Sequence, residues 1–285
     1  MAQFVKNHKE PYEALTQAVS NRPLAGKSAL ITGAGRGVGQ HITRGIAAAG
    51  ASKIAILGRD QKRIDSARDN FAAEYPETAF VGFSANVTDE EAIAAVFDAF
   101  GTPDIVVNNA GQFPDDGPFL QQNLRTWWTS WETNVLGSAV VAQKFLQTKY
   151  VPSDAVVLNV SSMAAHMRFP LIGWSGYNGS KLAQVRIFEN IRFEHPNVRF
   201  VNVHPGSIES DGFTRSGASA PPDGMTDGKL VGQFFAWLAT HEADFLAGRF
   251  VWAEWDIEEL KGRQKDIEGG DLLMTTIDGF TRGFF

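Results

Sequence analysis

Apolar residues fall in short unbroken runs, each followed by a segment in which apolar positions recur every three or four residues. Runs at 29–31, 53–57, 79–85, 104–107, 154–160, 199–203 and 249–253 have the length and composition of strands buried on both faces. Between them, helical patterns are predicted over 41–49, 61–74, 88–100, 124–150, 177–194 and 228–240. Asp60 is a suitable N-cap for the helix at 61–74, which Pro76 closes. Strands alternating with helices of this length predict an α/β fold built on a doubly wound parallel sheet of about seven strands. There is no internal repeat and no linker, so a single domain is expected.

Three segments stand outside this alternation. Residues 1–26, with Pro11 and Pro23, read as an N-terminal extension that wraps the surface with one helical turn around 12–19, or equally as a disordered arm. Residues 207–228 are rich in Gly, Ser, Pro and Asp. A loop this long in a compact domain is usually a lid or binding loop, disorder being the plainer alternative. Residues 257–285 follow the last strand as a C-terminal tail. The catalytic part is therefore expected within 27–256.

Composition narrows the function classes. A net charge of −6 over 285 residues argues against a nucleic-acid partner. With no cysteine, disulfides, thiol chemistry and cysteine-ligated metals are excluded. No apolar run approaches the ~18 residues of a membrane span, and the opening MAQFVKNHKEPYEALTQ lacks the apolar core of a signal peptide. A cytoplasmic protein without membrane contact is expected. His166, His204 and His241 are spaced for no metal site and read better as hydrogen-bonded histidines. The acids Asp256, Glu258 and Glu259 read as a solvated turn, and Trp127, Trp128 and Trp131 as core or subunit contacts that do not share one helix face.

The first strand runs into Thr32-Gly33-Ala34-Gly35-Arg36-Gly37-Val38-Gly39 and then into a helix. A strand, a glycine-rich turn and a helix form the first half of a Rossmann-type dinucleotide site. The glycines permit a tight turn, close approach to a pyrophosphate and close helix packing. The helix N-terminus adds free N–H groups and partial positive charge. Arg59, Asn108–Gly111 and Ser161-Ser162 lie at the carboxyl ends of other strands, where ligands of such sheets bind. Tyr177 and Lys181 form an i, i+4 pair on one helix face. An ammonium near a phenol favours the phenolate, which makes such a pair a candidate acid/base. Taken alone, the same spacing also occurs on ordinary surfaces.

The Thr-Gly-x-x-x-Gly-x-Gly loop, Asn-Asn-Ala-Gly at 108–111, Asn-Val-Ser-Ser at 159–162 and Tyr-x-x-x-Lys at 177–181 together resemble the short-chain dehydrogenase/reductase family. The matches run in family order from about residue 27 to 210, with weaker support to about 256. The resemblance implies that Tyr177 is the proton donor and acceptor. Lys181 would hold the nicotinamide ribose and lower the tyrosine pKa, and Ser162 would hydrogen-bond the reacting oxygen. Asn134 would anchor a water relay behind the lysine. It further implies cofactor contacts from Gly33, Gly35, Arg36, Gly37, Val38 and Gly39, from Asn86 and Val87, from Asn108, Ala110 and Gly111, and from Pro205, Gly206, Ile208 and Ser210. Two departures stand out. Ser162 to Tyr177 is longer than the family's usual spacing, so the loop 166–176 carries a small insertion. Asn86 replaces a common Asp, and its amide oxygen can accept the same adenine hydrogen bond.

The second strand ends Leu57-Gly58-Arg59, with no carboxylate before Asp60, and Arg36 reaches the same side. Arginines there suit a 2′-phosphate, so the expected cofactor is NADP(H). The expected activity interconverts a carbonyl and a secondary alcohol by hydride transfer. A non-redox isomerase or cyclase on the same fold and a cofactor-binding sensor are the alternatives, and the intact Asn134, Ser162, Tyr177 and Lys181 weigh against the sensor. Met163, Met167, Phe169, Leu171, Ile172 and Trp174 crowd the loop before Tyr177, and Ile208, Phe213 and Met225 punctuate the lid. Such side chains suit a bulky, ring-containing apolar substrate, or else pack into the core or a neighbouring subunit. His166, Trp174 and Phe213 are the substrate-contact candidates. Arg168 and Arg215 leave open a substrate bearing an acid group. The extension and the LAGRFVWAEWD ending are similar to fungal members of the family, many of which act in secondary metabolism. Family members usually pair through the long helices after the fourth and fifth strands, which implies a homodimer or homotetramer. The apolar Leu182, Val185, Ile187, Phe188 and Ile191 exceed what one buried stripe needs.

Overall fold

A computed structural model, describing residues 4–113, 117–167 and 172–277, places seven strands in one all-parallel sheet of order β3-β2-β1-β4-β5-β6-β7. After α1 (Glu13–Ser20), the chain runs β1 (Ser28–Thr32), α2 (Gly37–Ala48), β2 (Lys53–Gly58), α3 (Gln61–Glu74), β3 (Ala79–Ser84), α4 (Glu90–Phe100) and β4 (Ile105–Asn108). It continues through α5 (Leu124–Trp131), α6 (Ser138–Leu146), β5 (Val156–Val160), α7 (Ser175–Glu194), β6 (Arg199–His204), α8 (Asp211–Ser216), α9 (Gly228–Leu238) and β7 (Phe250–Trp252). Two short helices, α10 (Ile257–Gly262) and α11 (Gln264–Glu268), follow.

Neighbouring residues on each central strand are both apolar because the sheet is covered on both sides. Ile31, Ile56, Val107 and Leu158 join a core with Ile42 and Ile46 of α2 and Phe234 and Trp237 of α9. Leu30, Ala55, Val106 and Val157 join a second core with Phe97 of α4, Phe145 of α6 and Phe188 of α7. The winding reverses at β1, which pairs with β2 on one side and β4 on the other. A crevice therefore opens at the carboxyl ends of these strands.

Four departures from the pattern have local causes. The helix expected over 124–150 is interrupted by a π-helical turn at Glu132–Gly137. Ser138 Oγ donates to the carbonyls of Asn134 and Val135 at 2.7 and 3.0 Å, and a side chain at Gly137 would collide with Val87. The Ser138 bonds divert the helical ladder at this point, and Gly137 leaves room for Val87. In the lid, α8 forms because the Ser210 hydroxyl accepts from Phe213 N, while Gly217 ends it at φ +65°. Trp127, Trp128 and Trp131 stack on one another with ring centres 5.7–6.1 Å apart, because helical positions i, i+1 and i+4 span only about 100° of arc.

The fourth departure is the extension, which is ordered from Phe4 and docked. Asn7 bridges antiparallel to Trp255, His8 Nε2 bonds Asp256 at 2.8 Å, and Leu15 and Val19 of α1 are buried. Asp256 also caps α10 through Glu258 N and Glu259 N, while Glu259 accepts from Lys6 N. The acid cluster is thus a helix cap and a dock.

Helices α2 and α9 cross backbone to backbone, since a side chain on Gly45 would strike the Gly232 carbonyl. Gly45→Ala is expected to destabilise the fold by roughly 1–3 kcal/mol, read as a lowered urea midpoint. Gly262→Ala, which meets nothing within 4 Å, should leave the midpoint unchanged.

Candidate active site

The turn between β1 and α2 uses left-handed backbone at Gly33 (φ +66°) and Gly37 (φ +52°), which glycine adopts without strain. A Cβ on Gly39 would lie 2.6 Å from Asn109 Nδ2 and 2.9 Å from Ala34 Cα, so only glycine seats the helix this closely. Asn109 Nδ2 donates to the carbonyls of Thr32 and Gly33 at 2.8 and 3.1 Å. Thr32 Oγ1 accepts from Asn109 N and Ala110 N. The end of β4 is thereby laced to the glycine turn. Helix α2 has no side-chain cap, whereas Asp60 and Asp89 cap α3 and α4. Its first N–H groups border the crevice and fit an anion such as a pyrophosphate.

The crevice is a cavity of about 1060 Å³ across the carboxyl edge of the sheet, at the upper end of the ~300–1,000 Å³ usual for small-molecule sites. Gly33, Gly35, Arg36, Gly37, Val38, Arg59, Asn86, Val87, Ala110 and Gly111 line one part of it. Ser162, Trp174, Tyr177, Lys181, Pro205, Gly206, Ile208, Ser210 and Phe213 line the rest.

Ser162 follows β5, and Tyr177 and Lys181 lie on consecutive turns of α7. Burial raises the Tyr177 phenol above its ordinary pKa, and a hydrogen bond with Ser162 pulls it back down. Phe113 and Trp174 close around this ring, with centres 4.8 and 5.9 Å away. Lys181 is 4 % exposed, and burial lowers its ammonium to about 7. Its Nζ donates to Val160 O at 2.8 Å and to Gln184 Oε1 at 3.2 Å. Its Nζ, turned to Val160, stands 5.9 Å from the Tyr177 ring centre, and burial is the largest influence on the phenol.

Comparison with known proteins places this arrangement. The family model for short chain dehydrogenases matches residues 27–220. The chain belongs to the short-chain dehydrogenase family. It is an oxidoreductase of a family that uses nicotinamide cofactors for carbonyl and alcohol chemistry. A short chain dehydrogenase/reductase of Claviceps purpurea is 34% identical over 241 residues, covering 82% of this chain and 80% of that one. A short chain dehydrogenase of Monascus purpureus is 29% identical, with 94% of each chain covered. Among solved structures, L-sorbose reductase from Gluconobacter frateurii, complexed with NADPH and L-sorbose, matches at TM-score 0.71 and 21% identity, covering 82% of this chain and 97% of that one.

Several residues singled out from sequence sit elsewhere in this dehydrogenase. Asn108 is buried behind the cavity wall, donating to Ser138 O at 3.3 Å, and its neighbour Asn109 reaches the cavity instead. Asn134 lies beneath the surface, exchanging hydrogen bonds with the Gln112 backbone and donating to Ser180 Oγ at 2.9 Å. It fastens the turn after β4 to α7. Gly39 is packed under the turn rather than on the cavity surface. His166 is turned away, its Nε2 accepting from Trp252 Nε1 at 3.2 Å and its ring edge-on to Phe250. Met163, Met167 and Trp174 line the cavity, Ile172 is exposed, and Arg168, Phe169 and Leu171 fall outside the described residues.

Arg63 lines the cavity beside Gly35 but passes unnoticed in the sequence, although it lies one helical turn beyond Arg59. Phe113 had no signal, because only the fold brings its loop against Tyr177. Among the described residues no helix is long and apolar enough to cross a membrane, and no cluster of metal-binding side chains occurs.

The buried lysine makes stability depend on pH. Below about pH 7 the folded chain holds a desolvated ammonium; between about 7 and its ordinary 10.5, folding releases that proton. The unfolded chain then binds more protons, so stability rises with pH across this window. The melting-temperature difference between wild type and Lys181→Met should shift in the wild type's favour from about pH 7 to about pH 10. A difference independent of pH would show that the amine titrates normally.

Proposed function

We propose that this chain is a cytoplasmic NADP(H)-dependent oxidoreductase that interconverts a ketone and a secondary alcohol on a bulky, largely apolar, ring-containing small molecule of secondary metabolism. The observation that carries the cofactor preference is the use of Asp60. Its carboxylate accepts from Arg63 N at 3.1 Å as the cap of α3, while Arg59 and Arg63 line the cavity beside it. A 2′-phosphate meets two cations there, and a bare ribose finds its nearest carboxylate occupied. Arg36 is held by Asp211 of the lid at 2.6 Å, so it would join the phosphate only by leaving that partner. The fungal relatives and their coverage of this chain are consistent with this assignment.

Held by the glycine turn and Lys181, a reduced nicotinamide would supply the hydride for the carbonyl carbon. Tyr177 gives its phenolic proton to the carbonyl oxygen, so the double bond becomes a C–O single bond, and takes the proton back in the reverse direction. Ser162 donates a hydrogen bond to the same oxygen. Phe113 and Trp174 keep water from the phenol, which strengthens both interactions. Lys181 holds the ribose and, once charged beside it, favours the phenolate.

Tyr177→Phe should lower turnover by ~10²–10⁴ while leaving the Kd for NADPH unchanged. Arg59→Asp should do the reverse, weakening NADPH by about ten- to a hundredfold with NADH little affected. Fluorescence titration and initial rates separate the two. Tighter binding of NADH than NADPH by the wild type would overturn the cofactor assignment.

Leu182 and Phe193 of α7, Trp128 of α5 and Leu136 are exposed. Val185 and Phe188 are instead buried within the subunit. The exposed set supports a homodimer or homotetramer formed through these helices. Light scattering at micromolar concentration should give a multiple of the chain mass, and a monomer mass would count against it.

A further inference from the structure

The acid/base pair has a support that the Tyr-x-x-x-Lys spacing does not contain. Gln184 lies on α7 three residues after Lys181, on the same helix face, and is 1 % exposed. Its Oε1 accepts from Lys181 Nζ at 3.2 Å. Its Nε2 is buried without a partner, so among the described residues the amide is bonded to Lys181 alone. A buried amide N–H left unpaired costs stability that an apolar side chain of the same size avoids. Helix packing therefore does not account for a glutamine at this position, whereas its bond to the lysine does.

The surroundings of Lys181 show what that bond supplies. A charged lysine carries three N–H donors; the Val160 carbonyl takes one at 2.8 Å and Gln184 a second. Tyr177, on the same helix, is the titratable group against it, with its ring centre 5.9 Å from Nζ. The other elements packed here bring uncharged groups: Gly111 after β4, Asn134 beside it, and Val160 at the end of β5. Among the described residues no charged side chain offsets the burial that pulls the ammonium down to about 7. The two oxygens stand against that burial. A charged donor gains roughly twice as much from an acceptor as a neutral one, so each oxygen shifts the amine toward its protonated form.

We infer that Gln184 is a positioning residue for proton transfer: its amide oxygen, with the Val160 carbonyl, holds the Lys181 ammonium in its charged form and leaves a single N–H for the nicotinamide ribose. The main-chain oxygen is fixed by β5, so the side chain at 184 is the part of this support that a substitution can change. Gln184 does not line the cavity and acts through the lysine alone. This rests on the assignment of Lys181 to the cofactor above and adds the residue that sets its charge.

The test uses Gln184→Met, which keeps the length without the amide, and Gln184→Glu, which puts a stronger acceptor in its place. Each is compared with the double variant that also carries Lys181→Met, by melting temperature of the cofactor-free protein across the pH range of the lysine. The difference within each pair reports the titration of Lys181. In the wild type it begins to rise near pH 7. Gln184→Met should begin to rise about one pH unit lower, and Gln184→Glu about one pH unit higher. In Gln184→Met the affinity for NADPH should fall about three- to tenfold at about pH 7.5, with the loss shrinking toward about pH 5.5, where both proteins hold the ammonium. Gln184→Glu should bind NADPH as the wild type does. An onset unmoved in both variants, an onset displaced the same way in both, or an NADPH loss independent of pH would overturn the proposal. Should Gln184→Met not fold, the upward displacement in Gln184→Glu decides alone. A wild type that binds no NADPH sinks the cofactor assignment, and the onset in the cofactor-free protein still decides Gln184.

Discussion

Everything at the carboxyl edge of the sheet depends on how closely α2 can approach the end of β1. Gly39 sits against the Gly33 carbonyl and the Asn109 amide with no room for a methyl group. That contact fixes the direction in which the uncapped N-terminus of α2 points. The Gly45–Gly232 crossing then holds the same helix against α9, and α9 follows directly on the lid. One helix, seated by glycines at two levels, thus positions the anion site at its start and the lid's anchor along its flank.

The opposite side of the cavity is organised by burial of groups that water would otherwise satisfy. Tyr177, Lys181 and His204 are all pushed toward their neutral forms by desolvation. Their responses differ because their partners differ. Lys181 has a carbonyl and an amide oxygen within reach, Tyr177 has one hydroxyl, and His204 has no partner at Nδ1. In a low-dielectric wall of this kind, hydrogen bonds that are made are stronger and those left unmade cost more.

Much of this was legible in the sequence. The strand order of events, the cap at Asp60 and the boundaries of α3 follow from local chemistry, and the structure agrees with them. Motif spacing brought Ser162, Tyr177 and Lys181 to one cavity. What failed was any inference about which of two adjacent residues faces the ligand. Asn108 and Asn109 are chemically identical, and only the twist after β4 decides that the second one turns inward. Residues brought in from distant parts of the chain gave no signal at all. Lys9 and Glu254 are ordinary charges until the fold places them 2.8 Å apart.

The docking of the extension has a consequence for how the molecule assembles. The Lys9–Glu254 pair joins residues 245 positions apart, and the Tyr12 hydroxyl, with 243, spans nearly as much. Contacts of such separation form after local ones, because the loop they close must first be drawn together. The nucleotide half of the fold, β1 to β4, is complete within the first 108 residues. The extension bearing Asn7 waits for the far end of the chain to be in place. Once there, it is held by more than hydrogen bonds, since Val5, Leu15 and Val19 are buried in the core that α9 shares. The segment that comes first in the chain is thus among the last to be seated.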